Sequence, residues 1–95
     1  MAAYVIADIE VTDPEAYEGY KRAVATTIAA YGGRYLARGG HTDVVEGTWQ
    51  PRRLVVIQFP SLTRAREWYA SVSYAPLLSL RLRSAATNLV IIDGI

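Results

Sequence analysis

His41 is the only histidine in the chain. It follows a glycine pair, Gly39-Gly40, where a backbone lets a ligand come close. An imidazole with an ordinary pKa near ~6.5 suits proton transfer, which makes His41 the candidate catalytic residue; the alternative is a solvated loop histidine. Arg38 precedes the pair. Its fork can hold a carboxylate ligand, or else pair with Asp43 or Glu46 across the bend. Arg53, at the start of a strand-like run, has the same two readings. Trp49, Trp68, Tyr69 and Tyr74 fall near the ends of predicted elements, where aromatic side chains either line a pocket for a flat ligand or pack a core. Tyr17, Tyr20 and Tyr31 form a helical stripe, of which Tyr20 sits mid-helix over the sheet. The candidate ligand-binding residues are therefore Tyr20, Arg38, Trp49 and Trp68. Asp8 and Glu10 share one strand side. If that side meets a partner, Asp8 is a buried carboxylate, raised in pKa unless an arginine pairs with it.

Other chemistries find no footing. The chain has no cysteine, which excludes disulfides, thiolate metal sites and thiol nucleophiles and fits a reducing, cytoplasmic setting. A lone histidine without clustered carboxylates is a poor metal site. The sequence lacks a Gly-x-Gly-x-x-Gly fingerprint, a phosphate-binding Walker loop and an aromatic-basic RNA signature, so no cofactor is expected. A net charge of +1 gives no footprint for nucleic acid or an anionic membrane. The N-terminus shows no signal-peptide pattern, and no apolar run is long enough to span a bilayer.

The elements that must position these residues are legible in order. Tyr4 to Val11 alternates as a strand, with Val5, Ala7, Ile9 and Val11 on one side and Tyr4, Ile6, Asp8 and Glu10 on the other. Asp13-Pro14-Glu15 starts a helix whose apolar face carries Tyr17, Tyr20, Val24, Ile28 and Tyr31, with Glu18 and Arg22 as an outer pair. Gly32-Gly33 ends it. Arg34 to Arg38 is a short strand that the Gly39-Gly40 pair interrupts and Thr42 to Glu46 resumes. Arg53 to Phe59 is the third strand. Ser61 caps a second helix with Leu62, Ala65, Tyr69 and Val72 on one face and an Arg64–Trp68 cation–π contact. Ser73 caps a further short helix containing Pro76, Leu77 and Leu78, and Asn88 to Asp93 is the last strand.

The order β-α-β-β-α-β, with an extra helical turn or two, predicts an α+β, ferredoxin-like fold in a single domain spanning residues 1–95. A four-stranded antiparallel sheet carries its helices on one face. A chain of 95 residues buries only ~60–65% of its unfolded surface and gains from a partner. Both sides of the third and last strands are apolar, although only one side has helices to cover it. A second copy packed through the bare sheet face, burying ~800 Å² per partner, is the economical solution.

Several stretches together are similar to a bacterial family. They are Asp13-Pro14-Glu15-Ala16-Tyr17, Tyr31-Gly32-Gly33-Arg34, Arg38-Gly39-Gly40, Glu46-Gly47-x-Trp49-x-Pro51-x-Arg53-Leu54-Val55-Val56-Ile57, Phe59-Pro60-Ser61 and Trp68-Tyr69-x-Ser71-x-x-Tyr74. The family they resemble is a domain of unknown function, number 1330, in the dimeric α/β-barrel superfamily. The resemblance implies sheet-to-sheet pairing and a superfamily that holds cofactor-free monooxygenases, isomerases and haem-binding proteins, so it does not select a function. The chain departs from the family's usual form at Gln58, where Glu is common, and at Ser71-Val72-Ser73-Tyr74, which replaces Ser-Pro-Glu-Tyr. Both changes remove carboxylates that acid–base chemistry would use. The expectation is a homodimeric small-molecule-binding protein, a cofactor-free enzyme on an aromatic or carboxylate-bearing metabolite. Its pocket lies between sheet and helices, with Arg38, His41, Trp49 and Trp68 at the mouth and Tyr20 on the wall. The alternative is a non-catalytic dimerising module.

Overall fold

A computed structural model describes all residues from Met1 to Ile95. The chain runs β1 (Ala3–Val11), α1 (Pro14–Ala30), β2 (Arg34–Arg38), β3 (Leu54–Phe59), α2 (Leu62–Tyr69), α3 (Ala75–Ser84) and β4 (Ala85–Asp93). The strands form one antiparallel sheet in the order β2-β3-β1-β4. This is the ferredoxin-like arrangement with a third helix inserted before the last strand.

Local chemistry accounts for the boundaries. Asp13 accepts a hydrogen bond from the Ala16 amide, and Pro14 takes the first helical position of α1, where a missing N–H is harmless. At the other end the Gly33 and Gly32 amides donate back to the Ile28 and Ala29 carbonyls, with Gly32 at φ +76°. That left-handed turn satisfies the last carbonyls and favours glycine. Ser61 caps α2 through the Arg64 amide.

Alternation along β1 sends Val5, Ala7 and Ile9 inward, opposite Ile57, Val55, Ile91 and Leu89 of the flanking strands. Tyr17, Tyr20, Val24 and Ile28 of α1 close over them, with Phe59, Trp68 and Tyr74 completing the core. The other face carries Tyr4, Ile6, Leu54 and Val56, all half-buried, while Val90 and Ile92 are 58% and 53% exposed. No element of this chain covers it.

Four local expectations are corrected. Thr42 to Glu46 does not resume β2. It belongs to an exposed connection between β2 and β3, where nothing in the chain pairs with its backbone. In α2 the buried residues are Ala65 and Trp68 rather than Tyr69 and Val72, and Val72 lies beyond the helix in solvent. The Arg64 guanidinium stacks over Tyr31, 4.9 Å from its centroid, and pairs with Glu67 instead of reaching Trp68. Glu18 pairs with Lys21, one position earlier than the Arg22 partner expected. In addition, α3 begins without a side-chain cap; the Ser71 hydroxyl accepts from the Tyr74 amide in the preceding turn.

Candidate functional site

The gap between helices and sheet is lined by apolar β1 and β3 side chains, by Tyr17, Tyr20, Tyr35 and Trp68, and by four cations, Lys21, Arg38, Arg53 and Arg81. No aspartate, glutamate or histidine reaches it. Its enclosed volume is about 20 Å³. That is room for roughly one water molecule.

Arg81, in the last turn of α3, is 3% exposed and has no carboxylate partner. Its Nε donates to the Tyr74 hydroxyl at 3.4 Å, and that hydroxyl is 2.8 Å from the Tyr20 hydroxyl. A guanidinium can only donate, so the Tyr74 hydroxyl accepts from Arg81. Between the Tyr74 and Tyr20 hydroxyls either can be the donor, and the Tyr20 ring lines the cavity. Desolvation by burial, reinforced by Tyr74 alongside, pushes the Tyr20 phenol above its ordinary pKa. Burial likewise raises Tyr35, against the pull of Arg38. Both are neutral donors at physiological pH, not bases.

Trp68 forms the floor. Its indole N–H donates to Thr27 Oγ1 at 3.0 Å, and the Thr27 hydroxyl donates to the Val24 carbonyl, so the buried ring has no unmet donor. Phe59 and Tyr74 pack on it with centroids 5.4 and 4.2 Å away.

A β-bulge aims the mouth. Tyr35 pairs with Ile57 and Arg38 with Val55, with the register shifting between Tyr35 and Ala37. A regular strand would put residues 35 and 38 on opposite faces; the extra residue puts both on the helix side. Arg38 stacks over Tyr35 at 4.4 Å and donates to the Lys21 carbonyl at 2.8 Å, not to Asp43 or Glu46. Arg53 lies against the glycine pair: a Cβ on Gly39, which has φ +71°, would stand 2.5 Å from the Arg53 guanidinium. The Arg53 Nε is buried without a hydrogen-bond partner.

Of the residues singled out in the sequence, Tyr20, Arg38 and Trp68 meet around this cavity. Arg53, which the sequence reads as either a ligand anchor or a strand-start arginine, meets them there, as does Arg81, which no sequence motif singles out. His41 and Trp49 do not line it. The His41 side chain is 84% exposed and bonds Asp43 at 2.9 Å. Trp49 sits over the opposite sheet face, its indole N–H donating to Asp8 Oδ2 at 2.9 Å. Asp8 is neither buried nor paired with an arginine side chain. The Trp49 indole, then the Arg52 amide, hold its carboxyl below the usual range, outweighing a small desolvation effect. The chain brings no three His, Cys, Asp or Glu side chains together as a metal site, and no helix is long and apolar enough to cross a membrane.

A ferredoxin-like sheet with a cationic cleft under its helices defines a class of small α+β proteins. Within it, this chain belongs to the family described as Domain of unknown function (DUF1330), whose profile it matches over residues 2–95. Its fold is similar to that of RPA0582, a protein of unknown function from Rhodopseudomonas palustris. The two are 15% identical with a TM-score of 0.78, covering 99% of this chain and 82% of that one. It is also similar to SnoaB, a cofactor-independent oxygenase from Streptomyces nogalater (13% identity, TM-score 0.59, 99% and 92% covered). A further similar structure is an antibiotic biosynthesis monooxygenase (16% identity, TM-score 0.58, 100% and 99% covered). At these identities the likeness establishes the fold. No curated protein matches the sequence.

Proposed function

We propose that this chain is a homodimeric small-molecule-binding protein that takes a flat, anionic metabolite between its helices and sheet. On that ligand it acts as a cofactor-free enzyme of oxygenase or isomerase type. One observation carries the reading: Arg81 is 97% withdrawn from solvent with no anion of the protein beside it. A buried unpaired charge is costly, and folds retain such groups where a ligand completes them. The cavity supplies the other parts of an anion site: the Tyr20 phenol, an aromatic floor and three more cations. The kinship in fold with a protein described as a cofactor-independent oxygenase supports the reaction class.

The chemistry is one-sided. The cavity stabilises negative charge through Arg81, Tyr74 and Tyr20 but offers no base. A reaction there begins from a substrate that ionises easily, its oxyanion held by the Tyr20 O–H and the guanidinium behind it. Entry requires Lys21 and Arg38 to swing aside and the helices to part from the sheet, because the closed cavity holds only about one water. Both are long side chains at the mouth, and exposed side chains change rotamer in picoseconds to nanoseconds.

Dimerisation rests on the uncovered face, where Ile6, Val56, Val90 and Ile92 lie together across β3, β1 and β4. A second copy buries that patch, whereas a monomer leaves it as an aggregation hazard.

The small enclosed volume favours the second reading, a non-catalytic dimerising module whose core is simply filled. A thermal-shift screen of aromatic acids separates the two. On the first reading a binder at 100 times its Kd stabilises the protein by about 2.7 kcal/mol, and the effect disappears in Arg81→Met. A panel in which no anion raises the melting temperature leaves the packing module.

A further inference from the structure

The cavity is cationic at two places, not one. Arg81 stands at the β4 side, where it also lines an open cleft with Thr87 and Leu89. Arg38 and Arg53 stand at the β2–β3 side, where with Lys21 and Arg22 they line an open depression of about 430 Å³. Because β2 and β4 are the two edges of the sheet, the two places lie on opposite sides of the cavity, with apolar strand residues and Trp68 between them.

The outer pair is built rather than incidental. Gly39 adopts a backbone conformation that favours glycine, and the Arg53 guanidinium lies where a Cβ would stand. The Arg53 Nε is buried and unpartnered. The bulge in β2 turns Arg38 toward the same mouth. Neither arginine has a carboxylate partner, and the one acid lining the depression, Glu18, is taken by Lys21 at 3.2 Å.

From this we infer that the ligand carries two acidic groups on a flat apolar body: one carboxylate held by Arg81 inside, the other by Arg53 and Arg38 at the mouth. The inference rests on the ligand-binding reading above and narrows it to dicarboxylates. The fork of each arginine meets a carboxylate with two parallel N–H donors, a geometry that rewards placement as well as charge.

Isothermal titration of the full-length protein tests it, at fixed ionic strength near ~0.15 M so that bulk attraction is screened. The probes are benzene-1,4-dicarboxylate and naphthalene-2,6-dicarboxylate, each against its monocarboxylate. One dicarboxylate should bind about ten- to a hundredfold tighter than its monoacid, the return from one further charge-assisted anchor. Arg53→Gln should collapse that ratio toward one. Arg38→Gln, at an exposed position, should reduce it as well. If mono- and dicarboxylates bind equally and both are lost in Arg81→Met, the second anchor is refuted and the Arg81 site stands. If neither kind binds the wild-type protein, both readings fall together.

Discussion

Arg81→Met separates a ligand-binding arginine from a structural one by the sign of a stability change. A guanidinium withdrawn from water carries an effective penalty of several kcal/mol, and here no carboxylate offsets it. Two compensations are visible. The bond to the Tyr74 hydroxyl is long, at 3.4 Å, and contributes no more than ~1.5 kcal/mol. The position in the last turn of α3 favours a cation by about 0.3–1 kcal/mol. Methionine fills similar space without charge and strands no partner, because Tyr74 keeps its hydrogen bond to Tyr20. The net expectation is a gain of about 1–3 kcal/mol in the ligand-free protein. For a domain of this size each kcal/mol moves the melting temperature by about 4–8 °C. Urea unfolding at fixed protomer concentration should show the same gain as a higher midpoint with unchanged slope. A variant less stable than wild type by more than ~1 kcal/mol would refute the reasoning, since Arg81 would then be a packing element and its isolation no sign of a ligand.

Three further outcomes follow from individual contacts. Burial raises the Tyr20 pKa, so the unfolded chain ionises first: its contribution is intact below pH ~10 and falls above it by about 1.4 kcal/mol per pH unit. Tyr20→Phe should remove that part of the alkaline slope in a denaturation series. Asp8 is shifted the other way, so the Trp49–Asp8 tether is complete above the ordinary carboxylate pKa and is lost as the pH drops through the lowered value. NMR titration should find Asp8 below the usual range and find it raised in Trp49→Phe; an unchanged value would mean that the indole does not hold it. Val90→Glu places a charge on the uncovered face, where it should weaken self-association at least a hundredfold by sedimentation velocity while leaving the helical circular dichroism intact. Unaltered association would put the interface elsewhere.

Fold and site were unequally legible in the sequence, for physical reasons. Alternation in β1 and the Asp13-Pro14 and Gly32-Gly33 signals are local, and each decided an element boundary that the structure keeps. The apolar second sides of β3 and β4 were equally local, and the structure leaves that face bare. The Gly39-Gly40 pair reads as a bulge, a bend or a close approach. The approach is real, but what approaches Gly39 is Arg53. The bulge lies upstream, between Tyr35 and Ala37, and no residue type announces it. That one-residue slip decides which face Arg38 serves, so its place at the mouth could not follow from counting. Arg81 was missed because nothing local marks a basic residue in the last turn of a leucine-rich helix as buried. Its burial depends on Tyr20 and Tyr74, 61 and 7 residues away in the chain. His41 and Trp49 were attractive by type, but the connection that carries them runs outside the core: one ends in solvent, the other against the bare face of the sheet.

That placement makes the two faces of the sheet separable in function. The cavity on the helix side gathers Arg38, Arg53 and Arg81 without a single acid in its lining. The open side carries Asp8 and Glu10, with Glu10 3.7 Å from Arg52 and Asp8 held by Trp49 and the Arg52 amide. Because β1 alternates, an acid moved by one residue along that strand would enter the cavity and neutralise its cations. On β1 the carboxylates stand on the face opposite the cavity, while Arg38, Arg53 and Arg81 line the cavity without a carboxylate partner. A net charge of +1 over the whole molecule therefore hides a strongly polarised interior. The same partition explains why the cavity lacks a base: the side chains that could serve as one, Asp8, Glu10 and His41, all lie outside it. On the function proposed above, a substrate converted there brings its own acidity, and the protein's part is to hold the anion that results.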